Sequence, residues 1–113
     1  VNKHFDSLSI FNNCQENPDN LAILLIHGYP TMSFDYAPLF DELKDDFYVC
    51  ALDTPGYGFS DKPLGGYDYS IDDDARLVDE TIREIAGLRD FALLTHDKGD
   101  SVGLALLLRF LYF

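Results

Sequence analysis

The stretch Phe91-Ala-Leu-Leu-Thr95-His96-Asp97-Lys98-Gly99-Asp100 joins an apolar run to a short polar turn, and a second apolar segment follows it. The run is typical of a strand buried on both faces, and residues 99–110 resemble a helix packed at the centre of a domain. A sharp strand-to-helix turn holds its central residue, here Asp97, in a strained conformation with an exposed side chain. Gly99 lets strand and helix approach closely because it has no side chain. The segment therefore predicts an exposed carboxylate at a strand–helix junction.

Two further apolar runs precede this segment, Leu21-Ala-Ile-Leu-Leu-Ile26 and Phe47-Tyr-Val-Cys-Ala-Leu52. Each has the length and composition of a strand buried in a parallel sheet. Residues 7–11 predict an additional edge strand.

Helical periodicity fills the gaps between the runs. Ser70-Ile-Asp-Asp73 is a capping box with Asp in place of Glu, and Gly87 predicts the end of that helix. Its apolar stripe consists of Ile71, Ala75, Val78, Ile82 and Ile85. A shorter stripe between the first two runs consists of Phe34, Ala37, Phe40 and Leu43. Because strands alternate with helices, the predicted fold class is α/β, a mostly parallel sheet with flanking helices.

The charge of the chain argues against two classes of partner. Its 113 residues include 8 Lys and Arg against 20 Asp and Glu, which gives a net charge of −12. Such a surface repels nucleic acid and anionic membranes, although the same charge is also the ordinary means of keeping a protein soluble. The longest apolar stretches, 21–26 and 102–108, are too short to span a bilayer. We expect no nucleic-acid and no membrane partner.

The cysteines and the first residues bear on the compartment. Cys14 and Cys50 do not form a metal-ligand pattern, and Cys50 lies in an apolar run, which predicts a reduced, buried core residue as in the cytosol. Residues 1–6 contain no apolar signal segment. We therefore expect a cytoplasmic protein without metal or cofactor.

A polar loop follows each buried run: His27-Gly28-Tyr29-Pro30, then Asp53-Thr-Pro-Gly56-Tyr-Gly58-Phe-Ser60-Asp61, then residues 95–100. The carboxyl ends of parallel strands are where α/β sheets bind ligands. Asp97 is ionised at neutral pH and precedes a helix N-terminus, so it can attack carbon without a base. An isolated aspartate before a helix is more often a helix cap. The three loops in this order favour a nucleophile.

These loops resemble the α/β-hydrolase fold family, in particular its branch of epoxide hydrolases and haloalkane dehalogenases. The strings Ser33-Phe-Asp-Tyr36, Gly58-Phe-Ser-Asp-Lys-Pro63 and His96-Asp-Lys-Gly-Asp100 are most similar to the mesoderm-specific transcript group, and the resemblance covers roughly residues 20–110. It implies that Asp97 is the nucleophile and that the backbone N–H groups of Tyr29 and Lys98 form an oxyanion hole. A small-molecule substrate would form an ester on Asp97, which water activated by a histidine would hydrolyse.

The other motif residues are expected to shape the loops. We assign structural roles to His27, Gly28, Pro30, His96 and Gly99, because each is a motif residue at a strand end. Neither histidine lies opposite the nucleophile, as a base would. His4 is expected to lie in a frayed end.

Three departures from the family pattern concern the substrate. Tyr29 and Lys98 stand where haloalkane dehalogenases carry halide-binding Asn and Trp, which argues against a typical haloalkane. Lys98 is cationic where fluoroacetate dehalogenases carry a carboxylate-binding arginine, but their second arginine has no counterpart near Ser101, so a haloacid is only a weak alternative. Asp100 places a second carboxylate near Asp97 and is expected to raise its pKa unless Lys98 offsets it.

The resemblance also implies that the base, its acid partner and the lid lie after the nucleophile helix. We therefore expect residues 1–113 to be the N-terminal portion of a single α/β-hydrolase domain, without lid or C-terminal strands and inactive alone. Two alternatives remain open. One is a non-catalytic binding relative that keeps the pocket, and the other is a small α/β interaction module.

Overall fold

A computed structural model describes residues 8–15, 17–84, 88 and 90–112, with Tyr112 described by its backbone alone. Its four strands are β1 (Asn12–Gln15), β2 (Ala22–Ile26), β3 (Tyr48–Leu52) and β4 (Phe91–Thr95). Its three α-helices are α1 (Ala37–Leu43), α2 (Ile71–Glu84) and α3 (Lys98–Tyr112), and a 3-10 helix, Ser33–Tyr36, leads into α1.

The strands form one sheet in the order β1-β3-β2-β4. β2 pairs in parallel with both β3 and β4, whereas β1 is antiparallel to β3. The expected α/β class with a mostly parallel sheet is therefore confirmed. In the register, Ile26 lies opposite Leu52 on one side and Thr95 on the other. The three polar loops consequently leave the sheet at the same edge.

Helices cover the two faces of the sheet because successive strand residues point to opposite sides. On one face, Leu24 and Ile26 pack with α2 and α3, for instance with Val78 and Leu106. On the other face, Leu25 packs with Val49, Ala51 and Phe40 of α1. Burying an aliphatic side chain of this size stabilises the fold by about 1.5–3 kcal/mol. Both layers thus fix the strands whose ends carry the polar loops.

Helix α2 begins as its sequence predicts. The Ser70 hydroxyl accepts a hydrogen bond of 3.0 Å from the N–H of Asp73, so Ser70 caps the first turn. The predicted stripe residues Ala75, Val78 and Ile82 are buried. The predicted end at Gly87, like Ile85, lies outside the described residues, as does His4.

Two local predictions were wrong. The edge strand expected over 7–11 is instead formed by residues 12–15, and Ser7 lies outside the described residues. The segment before β1 bonds to the loop after β3, where Phe11 N–H donates to Ser60 Oγ at 2.9 Å. Phe34, expected on the apolar stripe of α1, is 71% exposed. It lies in the tighter 3-10 turn, whose three-residue repeat points it away from the face that α1 buries.

Strand β4 and helix α3 are less buried than their sequences predict. β4 lies at the end of the strand order, and each of its residues is at least partly accessible. Helix α3 buries one side, including Val102 and Leu106, against the sheet and α2. The helix was expected to be buried all round, but its outer side exposes Leu104, Leu107, Leu108, Phe110 and Leu111.

The structure also corrects the prediction that Cys50 is a reduced thiol. Cys50 is fully buried, as expected, but forms a disulfide with Cys14, its partner in the β1–β3 register. The argument for a cytosolic compartment from a free thiol therefore loses its basis. Within the described part of the chain, no helix combines the length and apolar character needed to cross a membrane.

Candidate active site

Asp97 occupies the turn between β4 and α3. Its φ of 56° lies in the left-handed region, which a non-glycine residue adopts only under strain. The turn is tight, because a Cβ on Gly99 would lie 2.4 Å from the carbonyl oxygen of Ile26. Gly99 is therefore needed for the close approach of α3 to the end of β2, as the sequence predicts. The carboxylate of Asp97 is exposed at this edge of the sheet.

The loop after β2 meets this turn. The Tyr29 N–H donates to Asp97 Oδ2 at 2.9 Å, and the Lys98 N–H also hydrogen-bonds the Asp97 carboxylate. A Cβ on Gly28 would lie 2.6 Å from the Cβ of Asp97, so only glycine allows this approach. The Tyr29–Pro30 peptide bond is cis. The structure thus brings the two predicted oxyanion donors to the predicted nucleophile.

These N–H groups reverse the pKa shift that was expected for Asp97. The N–H groups of Tyr29 and Lys98 lower the pKa of Asp97, and the charge of His96 acts in the same direction. Asp100 was expected to raise this pKa, but its carboxylate accepts a hydrogen bond from the Thr95 hydroxyl. Asp97 is therefore ionised throughout the neutral range.

The two histidines near the site differ in their surroundings. His27 is buried, and its Nε2 accepts a hydrogen bond of 3.1 Å from the Thr54 N–H. Its Nδ1 therefore carries the proton and lies 2.8 Å from the carbonyl oxygen of Gly28. Both ring nitrogens hold the loops together, which is the role expected from the sequence. His96 is exposed beside Asp97.

Asp53 is a structural residue whose role the sequence did not reveal. It is fully buried, and its two oxygens accept N–H groups of Ser33 at 2.7 Å and Phe59 at 3.0 Å. A Cβ on Gly58 would lie 2.2 Å from Asp53 Oδ2, so the second loop wraps closely around this carboxylate. An aspartate directly after a buried strand was the available signal. Asp53 joins the loops that follow β2 and β3.

The Lys98 side chain pairs with a carboxylate of helix α2. Its Nζ lies 2.8 Å from Oδ2 of Asp74, a fully buried residue in the first turn of α2, and 4.9 Å from the ring centre of Tyr57. Burial alone would lower the pKa of Lys98, but the ion pair with Asp74 outweighs it and the pKa is raised. The sequence contained a signal for Asp74, which lies three residues after Ile71 and four before Val78, on the inward side of the helix.

The Tyr67 hydroxyl completes this buried group by donating a hydrogen bond to Asp74 Oδ1. Burial and this hydrogen bond raise the pKa of Tyr67, so the hydroxyl remains a donor. Across the described ranges, no cluster of three or more His, Cys, Asp or Glu side chains is arranged to hold a metal. The groups that the structure brings together here are the carboxylate of Asp97 and the N–H groups of Tyr29 and Lys98.

Comparison with known proteins agrees with this geometry. The family model described as alpha/beta hydrolase fold matches residues 22–110. The chain is 44% identical over 91 residues to the mesoderm-specific transcript homolog protein of Bos taurus, which covers 78% of this chain and 27% of that protein. It is 37% identical over 83 residues to haloalkane dehalogenase 2 of Mycobacterium tuberculosis, which covers 74% of this chain and 28% of that protein.

A similar solved structure is a mutant epoxide hydrolase from Bacillus megaterium complexed with its product, a naphthyloxy-propanediol. It superposes with a TM-score of 0.79 at 28% identity, over 91% of this chain and 35% of that one. The chain thus spans about a third or less of the length of these relatives. The family match covers most of the chain and includes the two N–H donors and the strained aspartate. This chain belongs to the α/β-hydrolase fold family.

Proposed function

We propose that the whole protein containing this chain hydrolyses a small electrophilic substrate, an epoxide or a carbon–halogen compound, through an ester on Asp97. One observation carries the proposal: an ionised carboxylate in a strained turn, facing the N–H groups of Tyr29 and Lys98. An aspartate that served only as a helix cap would need neither the strain nor the second loop.

The first half of the reaction uses the charge of Asp97. Its Oδ1 attacks the substrate carbon, and the bond from that carbon to the epoxide oxygen or halide breaks with its electron pair. The halide leaves as an anion, whereas the epoxide oxygen takes up a proton from water. Oδ2, which the Tyr29 N–H holds at 2.9 Å, becomes the carbonyl oxygen of the ester. Because the carboxylate is already ionised, this step needs no base in the protein.

The second half uses the N–H groups. Water, deprotonated by a base, adds to the ester carbonyl, and negative charge develops on Oδ2. Donors already directed at that oxygen stabilise the charge without reorganising. The bond between the carbonyl carbon and Oδ1 then breaks, and the product leaves with Oδ1 as an alcohol because the base returns to it the proton taken from water. Asp97 keeps an oxygen from water.

The surroundings of Lys98 bear on the substrate class. Its ammonium is already neutralised by buried Asp74, so it is poorly placed to bind the carboxylate of a haloacid. Tyr29 and Tyr57 contribute aromatic rings near the site, 6.4 Å apart between ring centres. An uncharged substrate with an apolar or aromatic group fits this neighbourhood better than an anionic one.

A single turnover in heavy-oxygen water tests the ester directly. Phenyl glycidyl ether and 1-bromobutane serve as probes, with enzyme in excess. We expect the label in the carboxylate of Asp97 and not in the product, and we expect Asp97→Asn to abolish turnover. Asp41→Asn, an exposed change on α1, is the control and should behave like wild type. Label passing straight into the product would contradict the proposal.

A non-catalytic binding protein is the second candidate. It is favoured by the 44% identity to a mesoderm-specific transcript homolog, whose name states no reaction. It predicts saturable binding of the same probes without any adduct on Asp97. Intact-protein mass spectrometry after incubation separates the two candidates, because only the hydrolase gains the mass of an ester.

A further inference from the structure

We infer that Asp74 is a positioning residue for the nucleophile turn, which it holds in place by fixing the side chain of Lys98. The inference rests on the proposed function, in which the N–H of Lys98 stabilises the oxyanion. It assigns to helix α2 a part in catalysis, although no atom of α2 need touch the substrate.

Burial makes the contact between Asp74 and Lys98 hard to break. Asp74 has no exposed surface, and the Lys98 side chain is 22% exposed. Separating a buried pair leaves a charge without its partner, which is far more costly than separating a surface pair. The Tyr67 hydroxyl holds the other oxygen of Asp74, so the carboxylate itself cannot turn away.

The contact with Asp74 affects the turn at Asp97 because of the position of Lys98 in the chain. Lys98 directly follows Asp97, whose φ of 56° places it in a strained turn that can relax only if its neighbours move. One end of Lys98 provides the N–H that contacts the nucleophile, and the other end is fixed 2.8 Å from Asp74. The ring of Tyr57 restricts the ammonium from a third side. The contact between Lys98 and Asp74 therefore limits the rotation of the peptide whose N–H donates to Asp97.

A second ion pair between the same two helices provides a matched control. Asp79 of α2, also buried, lies 3.1 Å from Arg109 of α3 and 2.8 Å from Arg83. Arg109 is eleven residues beyond Lys98, near the far end of α3. Asp79→Asn should therefore weaken the packing of the two helices without disturbing the nucleophile turn.

The experiment compares Asp74→Asn with Asp79→Asn in the whole protein. The first readout is the pKa of Asp97, followed by carbon NMR of its carboxylate, which needs no activity. Loss of the Asp74 charge leaves the Lys98 ammonium unpaired, which by charge alone would lower the pKa of Asp97 further. Loss of the hydrogen bond from the positioned Lys98 N–H would instead raise the pKa of Asp97. We expect a rise in Asp74→Asn and no change in Asp79→Asn.

The second readout is turnover of phenyl glycidyl ether. Asp74→Asn should lower kcat about ten- to a hundredfold with little change in KM, because a misplaced oxyanion donor affects the transition state more than binding. If the wild-type protein turns over no probe, the proposed function fails. The pKa of Asp97 measured by NMR still tests whether Asp74 positions the turn through Lys98. An unchanged or lowered pKa of Asp97 in folded Asp74→Asn overturns the inference.

A double variant covers the case in which Asp74→Asn does not fold. Asp74→Leu with Lys98→Met replaces the pair by apolar groups of similar volume, a change that proteins usually tolerate. It removes one charge of each sign, so a rise in the pKa of Asp97 reports lost positioning. A folded double variant with an unchanged pKa of Asp97 contradicts the inference.

Discussion

The backbone N–H of Tyr29 lies 2.9 Å from Oδ2 of Asp97, although 68 residues separate them in the chain. This contact exists because the parallel register of β2 and β4 ends both strands at the same level, with Ile26 opposite Thr95. The loop after one strand can then donate to the residue after the other. The sheet therefore creates a preorganised donor–carboxylate pair.

The close approach of α3 to β2 predicts a large effect of adding one methyl group. Gly99→Ala would place a Cβ 2.4 Å from the Ile26 carbonyl oxygen and 2.7 Å from that of His27, both in backbone that cannot yield easily. We expect the free energy of unfolding to fall by about 1–3 kcal/mol and turnover to fall with it, since the helix must move away. Urea denaturation and activity of the same preparation measure both effects.

Gly65→Ala is the control for this substitution, because a Cβ there would have no heavy atom within 4 Å. Alanine restricts the unfolded chain more than glycine does. The free energy of unfolding of Gly65→Ala should therefore equal that of wild type or exceed it by about 0.4–1 kcal/mol. A Gly99→Ala variant as stable as Gly65→Ala would mean that α3 and β2 are not in close contact.

The pH dependence of ester formation should show no contribution from Asp97 in the ordinary range. Its N–H donors lower the pKa of Asp97, so the carboxylate stays ionised as the pH falls to values at which an unperturbed aspartate would gain a proton. The rate of the first half-reaction should therefore be flat from about pH 4 to 8, whereas an unperturbed aspartate would already be about half protonated near pH 4. Rapid-quench measurement of the ester tests this. A fall in the rate of ester formation toward the acidic end of that interval, with no such fall in the second half-reaction, would contradict it.

Short-range signals in the sequence predicted the sharp turn at Asp97, because its geometry is encoded in adjacent residues. Asp97, Gly99 and the apolar run before them lie within one short segment. The ion pair between Asp74 and Lys98 depends on how α2 and α3 pack, and no local sequence pattern specifies that packing. The phase of the α2 stripe does turn Asp74 inward, and a buried carboxylate requires a partner. Its identity became evident only from the packing of the two helices.

The disulfide was missed for a related reason. Cys14 and Cys50 become partners because β1 and β3 pair in an antiparallel register with these residues opposite each other. Periodicity does not predict the register of an edge strand, particularly where the preceding residues bond to a loop instead. Cys50 alone carried only the signal of its apolar surroundings, which predicted burial correctly and the free thiol wrongly.

The cap of α2 predicts a change in stability. Ser70→Ala removes the hydroxyl that accepts the Asp73 N–H, and it should lower the free energy of unfolding by about 0.5–2 kcal/mol. Ser101→Ala, at an exposed position of α3, is the matched control and should stay within about 0.5 kcal/mol of wild type. Equal effects of the two substitutions in urea denaturation would mean that Ser70 contributes nothing as a cap.

The last prediction is that the 113-residue chain by itself does not turn over substrate. Hydrolysis of the ester needs a base, and both ring nitrogens of His27 are engaged with Thr54 and Gly28. His96 neighbours Asp97 in the chain, whereas water must be activated over the ester carbonyl, so we do not expect it to serve. Incubation with phenyl glycidyl ether should therefore yield at most a stable ester on Asp97, which intact-protein mass spectrometry detects.

The same chain should also self-associate. Strand β4 has an accessible edge, and the outer side of α3 exposes five large apolar residues, Leu104, Leu107, Leu108, Phe110 and Leu111. Such an edge and such a patch promote association between copies. Light scattering should reveal oligomers alongside the activity assay. A monodisperse monomer with multiple turnovers, abolished by Asp97→Asn, would contradict both expectations.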